Sequence, residues 1–384
     1  MTERYKVVIT GGGTGGHLYP GIAVAEEIKK TLKNVDILFI GSTRGIEAKI
    51  LPTEKYFAKL LNTQGVVGKS LMKKTWALFS MTGAFVDVYY FLRKMNPDVV
   101  IGTGGYVSFL PVCAAVLLGI PTIIHEQNSI PGVANKFLAR FVDRVCVTYE
   151  NSIRAFPKTK TYLTGNPVRN GILSKSKEDG LAKFKLKTDR FTVFIFGGSR
   201  GARGLNKTVV ESLEHLKDLK DGMQFIHQTG EDDYEFVRGA YQNYGFYGMV
   251  MPFITTMAEA YAASNMVISR AGATTIAEIT SLGLPAILIP YPYSASSHQE
   301  LNAAKLAQGG AAVMIKEDGL SGVILADEIK RLYFDKDKRR SLSRNCKIFG
   351  RPDASKKVST IAISLIKKKD FIMEKEFKCL TTTG

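Results

Sequence analysis

The 384-residue chain has few cysteines, one tryptophan and no long unbroken apolar run, and each scarcity narrows what it can be. Its four cysteines, Cys113, Cys146, Cys346 and Cys379, are widely scattered, which implies neither a disulfide framework nor a metal site. The longest apolar region, FLPVCAAVLLGIPTII, is broken by Pro111, Gly119 and Pro121. It falls short of the roughly 20 residues a spanning helix needs and reads as a buried helix followed by a strand. The apolar stretch in MTERYKVVIT is too short for a signal peptide and runs straight into a glycine loop, so the chain is expected to stay in the cytoplasm. Acidic residues are also scarce, 35 against 52 Lys and Arg, leaving a formal charge of +17. Such an excess suits an anionic partner: nucleic acid, acidic lipid head groups or a pyrophosphate. No zinc-finger spacing or aromatic RNA-binding signature accompanies it, which argues against nucleic acid.

What is present is a regular alternation. Short β-branched runs, VVIT, DILFI, VVIG, TIIH and VCVT, then TVFIF, QFIHQ, MVMPF, MVISR and AILIP, are separated by segments of helical period. That alternation predicts an α/β fold of parallel sheets with crossover helices. The length suits two domains, and the strand-to-glycine turn occurs twice, in YKVVITGGGTGG and in FTVFIFGGSRGARGLN. Two Rossmann-like domains with an interdomain cleft follow. The Pro- and Gly-bearing segment around Gly165 marks the boundary, giving residues 1–164, then 165–350. Residues 351–384 form a terminal helix and tail expected to pack back on the first domain.

The first glycine turn, GGGTGGHLYPG, carries a histidine, His17, where phosphates usually bind. Gly11, Gly13 and Gly16 satisfy G-x-G-x-x-G, but a dinucleotide enzyme also needs an acid at the end of its second strand. Here that strand, VDILFIGS, ends in Gly41 and Ser42, which argues against nicotinamide and for another phosphate ligand. Further polar turns follow other strand ends: TGGYVSF, EQNS and AGATTIAEI. In open α/β sheets ligands sit beyond the carboxyl ends of the strands, so these turns together describe a binding site.

GGTGGHLYPG, GTGGYVS, HEQNSIPG, GNPVR, GGSRGARGLN, and SRAGATTIAEI followed by HQELNA run in this order from residue 11 to about residue 303. In these motifs the chain resembles the MurG family of bacterial N-acetylglucosaminyltransferases. The resemblance implies a GT-B enzyme that joins N-acetylglucosamine from UDP-N-acetylglucosamine to lipid I, the undecaprenyl-pyrophosphoryl-muramyl peptide, giving lipid II for peptidoglycan. It implies that Phe253 and Ile254 meet uracil, that Glu278 receives the ribose hydroxyls, and that Ala273, Thr274 and Thr275 meet the pyrophosphate at a helix start. Ser199 and Arg169 add direct hydrogen bonds, the arginine countering charge on the departing UDP. His298, Gln299 and Asn128 match positions that contact the sugar. Thr14, Gly15 and Gly16 are assigned to the donor, and Gly104, Gly105 and Tyr106 to the acceptor. A β-linked product from an α-linked donor implies one in-line displacement with inversion. The attacking hydroxyl must lose a proton, for which a neutral imidazole is suited; His17 and His125 are the candidates, His17 preferred.

No cofactor or protein-bound metal is expected. Asp335-Lys336-Asp337 forms a D-x-D, but in LYFDKDKRRSLS it reads as a solvated loop rather than a metal site. A lipid-linked acceptor places the enzyme peripherally at the cytoplasmic face of the membrane. Leu71, Trp76 and Phe79 with Lys69, Lys73 and Lys74 are the expected contact with an anionic membrane surface. The alternatives are another GT-B enzyme, such as a glycolipid synthase or a UDP-N-acetylglucosamine 2-epimerase, and a non-catalytic nucleotide-sugar-binding protein.

Overall fold

The computed structural model describes residues 4–62, 71–198, 201–294 and 297–381, with the backbone alone at 71–81 and 369–381. Lys69 and Ser199 therefore lie outside the described residues, as do the side chains of Leu71, Lys73, Lys74, Trp76 and Phe79. The chain divides into two units, one of Met1–Arg169 with Asp353–Gly384, the other of Asn170–Pro352. The division falls within GNPVRN, just after Arg169.

In the first unit the strands are β1 (Tyr5–Thr10), β2 (Val35–Ser42), β3 (Phe57–Leu61), β4 (Val99–Gly102), β5 (Thr122–Glu126), β6 (Arg144–Val147) and β7 (Thr161–Leu163). Among the described residues they form a seven-stranded sheet in the order β3-β2-β1-β4-β5-β6-β7, with every neighbouring pair parallel. Parallel neighbours need crossovers, supplied by α1 (Gly15–Thr31), α2 (Glu47–Thr53), α3 (Leu71–Met95), α4 (Tyr106–Leu117), α5 (Val133–Leu138) and α6 (Glu150–Ile153). A sheet covered on both faces explains why VVIT and VVIG are apolar throughout instead of alternating. Val7 and Ile9 enter one core with Ile22 and Phe39, while Val8 enters the other with Ile40, Val100 and Val112.

The second unit begins with α7 (Asn170–Ser174) and α8 (Lys177–Lys183). Ser176 and Asp179 form a reciprocal capping box at the start of α8. The chain continues through β8 (Phe191–Phe196), α9 (Arg203–His215), β9 (Met223–Gln228), α10 (Tyr234–Tyr244), β10 (Tyr247–Met251) and α11 (Met257–Ala263). It closes with β11 (Met266–Ser269), α12 (Ala273–Leu282), β12 (Ala286–Leu288), α13 (His298–Gln308), β13 (Val313–Met314), α14 (Gly322–Phe334) and α15 (Lys336–Phe349). The described strands make a six-stranded parallel sheet, β10-β9-β8-β11-β12-β13. Asp335 is not in a solvated loop: it is the N-cap of α15, accepting the Lys338 N–H at 2.7 Å. Asp337, in the first turn, pairs with Arg340.

The last helix, α16 (Ala354–Thr381), returns to the first unit. It packs on α1 and sends Val358, Ala362, Leu365 and Ile366 into the core that holds Val7 and Ile9. Burial of each such side chain contributes about 1.5 to 3 kcal/mol. In both sheets the winding reverses between two adjacent strands, β1 and β4 in one, β8 and β11 in the other. The crevice beyond the carboxyl ends at such a reversal is where an open α/β sheet presents its ligand site.

Candidate active site

At the reversal in the first unit, β1 leads through Gly11 to Thr14 into α1. Gly13 adopts φ +80, a conformation that strains any residue with a Cβ. Thr14 stands at the N-cap without a side-chain capping bond; its Oγ1 lies 3.1 Å from His17 Nδ1. When Nδ1–H donates to that hydroxyl, Nε2 is the unprotonated, basic nitrogen of the neutral ring. The His17 carbonyl accepts the Thr103 hydroxyl at 2.8 Å, tying the first turn of α1 to the end of β4. Gly104 and Gly105, at φ +94 and +78, bend the backbone around the imidazole. A Cβ on Gly104 would stand 2.7 Å from His17 Cδ2.

Tyr106 opens α4 and lies against Gly13, where a Cβ would meet its Cε1 at 3.2 Å; its hydroxyl donates to Ser42 Oγ at 3.2 Å. The Arg169 guanidinium lies 4.0 Å from the centre of the Tyr19 ring, whose edge adjoins Gly15. Thr14, Gly15, Gly16, His17, Gly104, Gly105, Tyr106 and Arg169 thus lie around the first glycine turn.

His125, the second candidate base, lies in a different environment. At the end of β5 it is 1% exposed, and its Nε2–H donates to the Gly165 carbonyl at 2.9 Å. Its Nδ1 is buried and has no protein partner. Burial pushes its pKa down to about 4, with the nearby His17 adding to the fall and the Gly165 bond opposing it. A ring so enclosed is a neutral tether between β5 and the linker motif. Beside it, the buried Glu126 carboxylate organises the HEQNSIPG turn. It accepts the Asn128 N–H and the Gly132 N–H, both at 3.0 Å, and the Asn135 amide at 2.9 Å. Asn128, half-buried, is held by this carboxylate through its backbone and more loosely through its side chain, at 3.4 Å.

In the second unit the corresponding turn follows β8, with Gly198 at φ +111 and Gly201 at φ +76. Buried Gln228, at the end of β9, donates to the Gly198 carbonyl at 2.9 Å and accepts the Ile254 N–H at 2.8 Å. One amide therefore couples the glycine turn to Phe253 and Ile254. The Ile254 side chain is buried and its N–H already donated, so its carbonyl is what the backbone there offers a ligand.

Beyond β11, Gly272 is the N-cap of α12, with no capping side chain and no acidic residue in the first turn. Ala273, Thr274 and Thr275 form that turn. Thr274 and Glu278, four apart, share a helix face. Glu278 is 5% exposed, and its Oε2 accepts the hydroxyl of buried Tyr261 at 2.8 Å. Tyr261 is fixed in turn by edge-on packing against Phe194 and Phe196. Arg270, just before the turn, makes a two-pronged ion pair with Glu317, at 2.8 and 3.0 Å. The helix α13 packs on α12 and begins with His298 and Gln299. Gln299 Oε1 accepts the Tyr291 N–H at 3.0 Å, and its own backbone N–H donates to Ser294 Oγ at 3.4 Å. One turn on, Asn302 is 1% exposed and neither of its amide atoms has a protein partner. Buried amides are normally satisfied, so this one is poised for a water or a ligand hydroxyl. Tyr261 and Gln228 carry no motif signal of their own, whereas Arg270 and Asn302 fall inside SRAGATTIAEI and HQELNA without being singled out there by residue type.

MurG of Acinetobacter baumannii has a similar structure, with a TM-score of 0.71 and 27% identity over 94% of this chain and 99% of that one. Paired parallel sheets of this kind define the GT-B class of glycosyltransferases. Residues 7–147 match the glycosyltransferase family 28 N-terminal domain, and residues 192–358 the family 28 C-terminal domain. The UDP-N-acetylglucosamine–N-acetylmuramyl-(pentapeptide) pyrophosphoryl-undecaprenol N-acetylglucosamine transferase of Thermodesulfovibrio yellowstonii is 44% identical over 95% of this chain and all of its own length. The Syntrophus aciditrophicus protein of the same name is 45% identical over 87% of this chain and 90% of its own. The chain belongs to glycosyltransferase family 28, among these peptidoglycan N-acetylglucosamine transferases.

Proposed function

We propose that this enzyme moves N-acetylglucosamine from UDP-N-acetylglucosamine to the 4-hydroxyl of the muramyl sugar of lipid I, forming lipid II with inversion at the anomeric carbon. The observation that carries this reading is Glu278, a buried carboxylate aimed by Tyr261 and set inside a helix whose first turn is uncapped. A carboxylate accepts two hydroxyl donors at once, and an uncapped helix start accepts an anion. Five residues along α12 separate the two by about 7.5 Å, which suits the ribose and pyrophosphate of one nucleoside-diphosphate sugar.

In this mechanism Phe253 covers the uracil while the Ile254 carbonyl takes its N3–H. Ala273, Thr274 and Thr275 hold the pyrophosphate, joined by Ser199, by Arg169 and by the Thr14 to Gly16 turn. A helix start alone gives only about 0.3 to 1 kcal/mol at an exposed site, so the arginine is needed as UDP departs. His298, Gln299, Asn302 and Asn128 address the sugar hydroxyls. Gly104, Gly105 and Tyr106 receive the acceptor, and His17 Nε2 takes the proton from its 4-hydroxyl as the new bond forms. No step calls for a metal or cofactor. Transfer of labelled sugar from UDP-N-acetylglucosamine to a lipid I analogue is the expected result. Release of an epimerised sugar with no labelled lipid product would overturn the reading.

A lipid-linked acceptor asks the enzyme to dock on the cytoplasmic face of a membrane. No described helix is long and apolar enough to cross one. Val133, Phe137 and Phe141 recur every four residues with their side chains exposed. Phe137 lies 5.9 Å from the Phe109 ring and 5.4 Å from that of Phe141, with exposed Lys136 and Arg140 interleaved. Apolar rings flanked by cations suit an anionic lipid surface, and this patch joins the segment from Lys69 to Phe79 as the proposed contact. Phe137→Ser with Phe141→Ser should lower sedimentation with phosphatidylglycerol vesicles by about tenfold. Unchanged binding would remove the patch from the interface.

A further inference from the structure

Glu47, the first residue of α2, is a carboxylate with no exposed surface. It points back under the first glycine turn: Oε2 accepts the Gly13 N–H at 2.9 Å and Oε1 the Ser42 N–H at 2.7 Å. Three glycines owe their identity to it. A Cβ on Gly12 would stand 2.4 Å from its Cδ, one on Gly41 2.5 Å from its Cγ, and one on Gly45 2.1 Å from its Oε2. None of the three has a positive φ, so space, not backbone conformation, explains the glycines.

The carboxylate reaches further through its partners. Ser42, fixed by Oε1, accepts the Tyr106 hydroxyl, and the Tyr106 ring lies against Gly13, fixed by Oε2. Gly13 in turn precedes Thr14, the hydroxyl partner of His17 Nδ1. We propose that Glu47 is a positioning residue: one buried carboxylate sets the glycine turn, and through it His17, and sets Tyr106 on the acceptor side. From the start of α2 its carboxylate reaches back to the end of β2, where a dinucleotide enzyme would present an acid to a ribose. Here the carboxylate is turned inward onto the protein's own N–H groups. The loop is thereby held by the protein before any ligand arrives, the condition for a base to work in one fixed geometry.

The consequence for turnover rests on the transferase reading; the consequence for the loop does not. Glu47→Gln keeps the shape but turns one acceptor into a donor, so either Gly13 or Ser42 loses its partner. Gly45→Ala leaves the carboxylate in the sequence and displaces it. Both variants should show faster amide exchange by mass spectrometry in the segment holding Gly11 to His17. Both should also lose about tenfold or more in kcat, with a smaller change in the KM for UDP-N-acetylglucosamine and the Kd for UDP, because the glycine turn supplies only part of the pyrophosphate contacts and none of those to uracil and ribose. Glu54→Gln, an exposed carboxylate at the other end of α2, should change none of these. Unaltered exchange in both variants overturns the proposal, as does a parallel loss of UDP binding, which would mark Glu47 as support for the whole fold. Failure of the wild-type enzyme to transfer label would instead strike the transferase reading, and the exchange measurement would still decide the role of Glu47.

Discussion

His17→Ala should lower kcat by about 10² to 10⁴, the usual contribution of a positioned general base, while UDP binds as before. His17 belongs to the first unit and touches the Thr14 hydroxyl, the Thr103 side chain and the Gly104 backbone, whereas the groups assigned to uracil and ribose all belong to the second. Removing the imidazole therefore leaves the nucleotide contacts intact, and its effect should appear in kcat and kcat/KM alike, the mark of an interaction made in the transition state. A base that must be neutral imposes an acid limb on the rate. His125, with its pKa pushed down to about 4, supplies no such limb above pH 5. In His17→Ala the limb should vanish along with most of the rate, and the residual activity should be flat with pH down to about 5. A variant with wild-type kcat, or one that keeps the limb, would transfer the role elsewhere.

The histidine pair shows what a sequence can and cannot disclose. Both imidazoles fall in polar turns at strand ends, and residue type alone makes both competent bases. What separates them is burial and a single bond to the Gly165 carbonyl, 40 positions along the chain from His125. The parallel sheets were legible because β-branched runs must be apolar on both faces, and the glycine turns because a positive φ admits little else. Glu47 was illegible for the opposite reason: its bond to Gly13 spans 34 residues, and nothing near it in sequence distinguishes it from a solvated carboxylate at a helix start. The aromatic patch at Phe137 and Phe141 carries no distinct sequence signal, because KFLARFVDR mixes rings with cations and resembles the end of an ordinary core helix. Its exposure follows from which face α5 turns to the sheet, which local pattern does not determine. D-x-D erred in the other direction, a loop on composition and a helix cap in the fold, because Asp335 finds the Lys338 N–H.

Glu278→Ala should have the second large effect, about a hundredfold or more in kcat/KM for UDP-N-acetylglucosamine. A hydrogen bond to a charged group contributes about 1.5 to 3 kcal/mol, and a carboxylate serving two ribose hydroxyls makes two of them. The ribose does not change during transfer, so these bonds act equally in ground and transition states, and the loss should fall mainly on KM. A 2′-deoxyribose analogue of the donor sharpens the test: the wild-type enzyme should discriminate against it, and Glu278→Ala should accept donor and analogue with similar kcat/KM. Tyr261→Phe probes the same site one step removed. It keeps the ring packed against Phe194 and Phe196 and deletes only the hydroxyl that holds Glu278 Oε2. The carboxylate stays but loses its aim, so kcat/KM should fall by roughly tenfold, the size of one such hydrogen bond. In the double variant the Tyr261 change should add little, because a tyrosine that acts by orienting Glu278 has nothing left to orient. Full additivity would show that Tyr261 acts independently of the carboxylate. Retained discrimination in Glu278→Ala would place the ribose on other groups.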